Sequence, residues 1–333
     1  MNRKLPQRRL GEFQVSALGL GCMNLSHAYG TPPSESEAIA LLDYAFEEGI
    51  NFFDTAALYG FGSNEELLGR TLLKKHRSKL ILASKGGMAG VDGKRVIDGR
   101  PSALRKNCED SLRRLGTDVI DLYYLHRWDK KVPIEDSVGE MSRLISEGKI
   151  RSIGLSEVSA STIQKAQATH PITAIQTEYS LWTRNPEIAV LDTCEQLGIT
   201  FVAFSPVARG FLGGVLRDVS SLDAKDIRRS MPRFYPENYP KNLAVLESIS
   251  AIAKDQDCSI AELSLAWLLQ QSDNIIPIPG TTNISHLKEN IASANIQLRP
   301  EILERIEALL QQQAIVGGRY NETTQLEIDT EEF

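Results

Sequence analysis

What this chain of 333 residues lacks narrows its function first. No run approaches the roughly 18 apolar residues that a membrane helix needs, and the basic start, Met1 to Arg9, has no apolar stretch of the kind that a secretion signal carries. A cytoplasmic protein with no membrane partner is expected. Positive charge is not in excess either: 37 Lys and Arg against 43 Asp and Glu leave a formal net charge of −6 and a pI near 5.6. No basic stripe is on offer to neutralise a phosphate backbone, so nucleic acid is excluded as an expected partner. The cluster Lys74-Lys75-His76-Arg77 reads as a solvated helix end. Cysteine is scarce, and Cys22, Cys108, Cys194 and Cys258 show neither CxxC spacing nor histidines at ligand spacing. Neither a disulfide framework nor a metal site is expected. Finally, no glycine fingerprint follows the first predicted strand, which removes the usual dinucleotide-binding sheet.

What is present is a regular alternation. Residues 8–17 read as a hairpin with Gly11-Glu12 at the turn. Short apolar runs then recur at 18–21, 50–53, 80–84, 119–125, 150–155, 172–176, 199–203 and 274–277. Helical patterns follow them, opened by Ser34, about Asn64, Pro101-Ser102, Ile134, Ser159 and Asn185-Pro186. A glycine-rich insertion, 86–99, follows the third run. After the seventh comes a long Gly/Pro-containing segment, 205–240, then helices at 241–254 and 260–271, and a last helix starts at Asn283. Eight short strands separated by helices predict an α/β fold, a (β/α)8 TIM barrel with an N-terminal β-hairpin and a long loop after strand 7. A single domain over 1–333 is expected.

In such barrels the chemistry gathers at the C-terminal ends of the strands. Four polar residues stand there: Asp54 and Tyr59 after the second strand, Lys85 after the third and His126 after the fourth. A tyrosine with an ordinary pKa of about 10 is a poor acid at neutral pH unless a cation stabilises its phenolate. Lys85 can be that cation, Asp54 can hold it charged, and His126 can join Tyr59 around one substrate oxygen. Singly, each has a structural reading: helix cap, loop aromatic, solvated lysine, core imidazole. No one of those readings predicts the other three. The set lacks a side-chain nucleophile, and none is needed where a nicotinamide delivers hydride.

The segments around these residues, Leu20-Gly21-Cys22-Met23, Phe53-Asp54-Thr55-Ala56-Ala57-Leu58-Tyr59-Gly60, Ala83-Ser84-Lys85 and Tyr124-Leu125-His126-Arg127, together resemble the aldo-keto reductase superfamily. So do Gly154-Leu155-Ser156-Glu157, Phe204-Ser205-Pro206, Gly210-Phe211-Leu212 and Ile278-Pro279-Gly280-Thr281-Thr282, in the same order along the chain. The resemblance implies a reductase of the bacterial-type, NADPH-dependent aldehyde branch, reducing small-molecule aldehydes and possible ketone substrates. Tyr59 would be the proton donor, tuned by Asp54 and Lys85, with His126 orienting the carbonyl. NADP(H) would lie extended across the barrel mouth. Ser156 and Gln176, with Asp54, would hold the nicotinamide amide, and Phe204 would stack on its ring. Gly21, Met23, Ser205, Pro206, Arg209 and Gly210 would line the cofactor, with the long segment after strand 7 as a flap over the pyrophosphate. Gly280, Thr281, Thr282 and Asn283, at a helix N-terminus, would face a phosphate, and Glu289-Asn290 the adenine.

The chain departs from that family's pattern in places. Glu157 stands where many relatives have Asn, and Gly280 and His286 stand where many have a Lys and an Arg around the adenosine 2′-phosphate. No acidic residue lies between Gly280 and His286 to repel that phosphate, so NADP remains the expected cofactor. Met23, Tyr29, Trp128 and Trp182 are candidates for the substrate mouth, although packing explains each as well; Gly317-Gly318-Arg319-Tyr320 and the acidic tail after it either border that mouth or fray. Nothing in the sequence specifies an oligomeric state. Two rivals stay open: a weakly catalytic nicotinamide-sensing module resembling channel β-subunits, and a barrel aldolase using Lys85 as a Schiff base.

Overall fold

The computed structural model describes residues 5–312 and 315–333; positions 1–4 of the basic N-terminal stretch lie outside them. The chain opens with a hairpin, β1 (Gln7–Leu10) and β2 (Phe13–Ser16), as predicted. The barrel strands follow: β3 (Leu20–Gly21), β4 (Phe52–Asp54) and β5 (Ile81–Gly86). A second hairpin, β6 (Met88–Val91) and β7 (Lys94–Ile97), interrupts the series before β8 (Ile120–Leu125), β9 (Ile150–Ser156), β10 (Ala174–Glu178), β11 (Thr200–Phe204) and β12 (Ile275–Pro277). The eight parallel strands run in the order β3-β4-β5-β8-β9-β10-β11-β12. The sheet closes on itself through Gly19 N–H to Pro277 O (3.0 Å) and Gly21 N–H to Pro279 O (3.2 Å), completing the (β/α)8 barrel. That seam demands glycine at position 21: a Cβ there would lie 2.8 Å from Ile278 O.

Helices wrap the outside where the sequence periodicity puts them. Ser34 caps Glu35–Glu47 through a reciprocal bond with Glu37, and Ser259 caps Ile260–Gln271 with Glu262 in the same way. Pro101 opens Pro101–Leu115, and Ile134–Ser146 follows β8. Helix Ile284–Ser293, after β12, is not the last: Pro300–Gln312 packs beyond it, and a short helix, Glu322–Gln325, lies in the C-terminal segment. The insertion 86–99 is ordered as the β6–β7 hairpin rather than as loose glycine-rich chain.

Inside the barrel, Phe52, Ala83, Leu122, Tyr124, Ala174, Val202 and Ile276 form one apolar cluster, sealed by Leu10, Phe13 and Val15 of the first hairpin. This layer fixes the site, because side chains alternate across a strand. Asp54 stands two residues beyond Phe52, Lys85 beyond Ala83, His126 beyond Tyr124, Gln176 beyond Ala174 and Phe204 beyond Val202. All five therefore point inward, one layer above the core, at the C-terminal rim.

Candidate active site

The rim layer is a connected polar network, with Asp54, Lys85, His126 and Gln176 buried. Lys85, fully buried, bonds Asp54 Oδ1 and donates to Thr55 O at 2.9 Å and to the Tyr59 hydroxyl at 3.2 Å. Gln176 Nε2 donates to the other Asp54 oxygen at 2.8 Å. The sequence positions Tyr59 through a left-handed turn: Gly60, Phe61 and Gly62 have φ of 56°, 52° and 100°. Asn64 pins that turn, donating to Cys22 O at 2.9 Å and to Ser26 Oγ at 2.6 Å while accepting from Thr55 Oγ1. The His126 ring meets the Tyr59 ring edge-on, with centroids 5.8 Å apart.

The electrostatics suit proton donation. Burial alone would pull Lys85 down, but Asp54 and then Tyr59 outweigh it and hold the ammonium above its ordinary range. Burial raises the Tyr59 phenol and the Lys85 charge opposes that; the net direction is upward, so the phenol is protonated at neutral pH. Lys85 thus restrains the pKa of a buried phenol without bringing it below that of free tyrosine: the phenol keeps its proton at rest, and the cation beside it lowers the cost of giving that proton up. His126 is pushed well below its usual pKa, first by burial and then by Lys85, Arg127 and Arg95. Its imidazole is neutral, and its Nδ1 is buried with no hydrogen-bond partner.

These groups open into a cleft of about 650 Å³ across the barrel mouth, within the size range of small-molecule sites. Of the expected residues, Gly21, Met23, Asp54, Tyr59, His126, Ser156, Gln176 and Phe204 line it. So do Ser205, Pro206, Arg209, Gly210, Gly280, Thr281, Thr282, His286, Glu289 and Asn290. Lys85 lies behind Asp54 and Tyr59, not at the surface of the cleft. Asn283 also stays out of it: its side chain caps helix Ile284–Ser293, accepting from Ser285 N–H at 2.7 Å. The segment after β11 forms one wall and carries three non-glycine residues at positive φ, Ser205, Ala208 and Arg209, the kind of backbone strain that gathers at ligand sites. Arg209, in that wall, pairs with Glu178 and donates to the Tyr320 hydroxyl at 2.9 Å.

The donor set fits a nicotinamide carboxamide. Ser156 Oγ accepts from Arg127 Nη1 at 3.1 Å, which leaves the Ser156 hydroxyl hydrogen free to donate into the cleft. Gln176 is anchored by Asp54, and the half-buried Phe204 ring borders the same cleft.

The mouth differs from the sequence expectation in its aromatics. Tyr29 and Met23 line the cleft, but Trp182 is buried against Phe211 and Phe234, and Trp128 packs on the core and donates to Val132 O at 2.7 Å. Of the expected C-terminal border only Tyr320 lines the cleft, joined by Asn321 and Thr324 after it; Gly317, Gly318 and Arg319 do not. His27, Arg95 and Arg127 also line the cleft, with no role expected of them from the sequence, and Arg228 lines it from the segment expected to form the flap. Only Arg127 carried a signal, as the neighbour of His126.

The family model that describes the Aldo/keto reductase family matches residues 17–311. The chain belongs to that family. A probable aldo-keto reductase 1 of Glycine max is 45% identical over 311 residues, 92% of this chain and 89% of that protein. Among solved structures, a glycerol dehydrogenase of Gluconobacter oxydans superposes with a TM-score of 0.84 at 28% identity, covering 94% of this chain and 97% of its own. The holo form of an aldo-keto reductase from Bacillus halodurans gives 0.77 at 30% identity, covering 96% and 99%. This aldo-keto reductase is accordingly an oxidoreductase of small-molecule carbonyl compounds, of a family that works with nicotinamide cofactors. Among the described residues no helix is long and apolar enough to cross a membrane.

Proposed function

We propose that this protein is an NADPH-dependent aldehyde reductase, with Tyr59 as the proton donor, acting as a single domain over its whole length. The observation that carries the reading is Lys85 Nζ, buried and bonded at once to Asp54 and to the Tyr59 hydroxyl at the floor of the cleft. When bound, a reduced nicotinamide supplies hydride to a carbonyl carbon. The chain's own groups do the rest. Tyr59 gives its hydroxyl proton to the oxygen on which negative charge grows, and the phenolate left behind is stabilised by Lys85 at 3.2 Å. Asp54 keeps that ammonium charged and aimed. Neutral His126 offers a ring N–H to the same oxygen, so the alkoxide forms between two donors. Ser156 and Gln176 would hold the carboxamide, and Phe204 would cover one ring face.

NADPH preference rests on the far side of the cleft, where Thr281, Thr282 and His286 surround the start of helix Ile284–Ser293 and Glu289 is the one carboxylate on that helix lining the cleft. The positive end of the helix favours an anion there. A Schiff-base aldolase is disfavoured, because Lys85 is held as a charged ion-pair partner and a nucleophilic amine must be neutral. Tyr59→Phe should lower kcat for aldehyde reduction by about 10²–10⁴-fold, the usual contribution of a general acid, with NADPH affinity unchanged in a fluorescence titration. Turnover near that of the parent would remove Tyr59 from the role, and turnover slower than cofactor release in the parent would favour the sensing module.

A further inference from the structure

Two arginines of the cleft, Arg95 and Arg127, have no task in the chemistry above. Both lie on the side of the mouth away from the expected phosphate contacts. Arg127 follows β8, and β8 is four strands from β12 in a ring of eight, directly across from the Gly280–Thr282 loop. Arg95 is on β7, in the hairpin inserted between β5 and β8. Neither is placed to serve a pyrophosphate held by the loops after β11 and β12.

The charge around the carbonyl position is unbalanced. The positive charge of Lys85 is met by Asp54. Elsewhere in the cleft Arg209 is met by Glu178 and Arg228 by Asp226. Arg95 reaches Glu327 of the C-terminal segment, a contact at the protein surface with the Arg95 side chain 41% exposed. Arg127 has no carboxylate within ion-pair distance among the described residues. Its Nη1 donates only to His126 O at 2.9 Å and to Ser156 Oγ at 3.1 Å, which leaves most of the guanidinium fork unused. An arginine lining a cleft with its charge unmet next to the carbonyl-binding histidine is a receptor for an anion, and its planar fork matches a carboxylate.

We propose that the substrate is a carbonyl compound that also carries a carboxylate, with Arg127 holding the carboxylate and Arg95 exchanging Glu327 for it as a second arm. The proposal rests on Tyr59 and His126 being the carbonyl site. His126 and Arg127 are consecutive, yet both face the cleft because β8 ends at Leu125 and strand alternation ends with it. A short compound can therefore meet both at once, carbonyl at one end and carboxylate at the other. The two cations also help to keep His126 neutral, so a bound carboxylate would partly relieve that pressure without displacing the Tyr59 proton.

The test uses matched pairs: 4-carboxybenzaldehyde against methyl 4-formylbenzoate, and 4-oxobutanoate against its methyl ester, assayed with NADPH. In the parent protein kcat/KM should favour the carboxylate by roughly ten- to hundredfold, the range of a charge-assisted hydrogen bond. Arg127→Gln should collapse that ratio toward one, and Arg95→Gln should reduce it in part. Because the ratio is read, a general loss of turnover through the Ser156 contact cancels. A second readout needs no turnover: calorimetry should show 4-(hydroxymethyl)benzoate binding the parent more tightly than 4-(hydroxymethyl)benzamide, and the two binding alike to Arg127→Gln. A parent that reduces both members of each pair equally, or a preference that survives both substitutions, overturns the carboxylate site and leaves the reductase reading intact. A parent that reduces neither member overturns the reductase reading itself.

Discussion

Replacing Lys85 with Met tests the centre of the site and allows a magnitude to be worked out in advance. The substitution leaves the Asp54 carboxyl, 1% exposed, facing a thioether where an ammonium stood. Breaking one half of a buried pair costs about 3–5 kcal/mol. At roughly 2.1 cal/mol/K for each of 333 residues, the unfolding entropy is about 0.7 kcal/mol/K, so the melting temperature should fall by roughly 4–7 °C. Adding Asp54→Asn to Lys85→Met should restore most of that loss, because it removes the stranded charge and keeps an acceptor for Gln176. It should not restore turnover. The Lys85 charge is what opposes the effect of burial on the Tyr59 phenol; without it the phenol pKa rises further. Alcohol oxidation, which needs the phenolate, should then move its alkaline limb to higher pH. Calorimetric melting of the single and double variants, with pH-rate profiles in the oxidative direction, decides the matter. A Lys85→Met protein that melts with the parent and keeps the parent's limb would refute the coupling of Asp54, Lys85 and Tyr59.

Gly21→Ala should destabilise the barrel by about 1–3 kcal/mol through overpacking, since the new methyl group meets Ile278 O at 2.8 Å; an unchanged melting temperature would show that the seam yields. Glu178 is held down to about 2 because Arg209, Arg319 and Arg233 outweigh its burial. Its folded-state pKa is depressed, so its contribution is complete above the ordinary value of 4.5 and is lost as pH falls from there toward about 2. Glu178→Gln should flatten acid unfolding within that window, and equal slopes for both proteins would contradict the assignment. His286→Arg should strengthen NADPH binding and leave NADH nearly unchanged; parallel gains for both cofactors would move His286 away from the 2′-phosphate.

The barrel was legible because its signals are local. Strand alternation and helix caps sit within a few residues of one another: a helix opens at Ile134 as expected, and the one at 260–271 emerges with both bounds the periodicity predicts. The four expected catalytic residues were legible because a barrel gathers its strand ends, so residues far apart in sequence need only end a strand to meet. The β6–β7 hairpin was missed although its signal was present: Asp92-Gly93, at φ of 50° and 73°, joins Val91 to Lys94 as a two-residue turn. The glycines of that stretch drew attention to looseness and away from the turn. Trp182 stayed open between mouth and packing because a large aromatic beside a strand end fits both equally, and the neighbours Phe211 and Phe234 decide for packing.

Glu157 shows what no local pattern can reveal. At a position where relatives often carry an amide, a carboxylate needs a cation, and no cation lies near it in sequence. Arg319 supplies one from 162 residues away, with Nη2 at 2.8 Å and 2.9 Å from the two Glu157 oxygens. Glu178 N–H donates to one of those oxygens at 2.9 Å, so the ends of β9 and β10 share the anchor. The C-terminal segment then runs on: Asp329 N–H donates to Glu157 O at 3.0 Å, and the Asp329 carboxylate accepts from the Ser159 hydroxyl at 2.8 Å and from Thr162 Oγ1 at 2.7 Å, at the start of helix Ala160–Thr169. Asn321 and Thr324, which line the cleft, lie between these two anchor points. The acid at position 157 does not line the cleft itself; it fastens the segment that borders it. A residue that ends a barrel strand beside the site is thus tied through Arg319 to the far end of the chain.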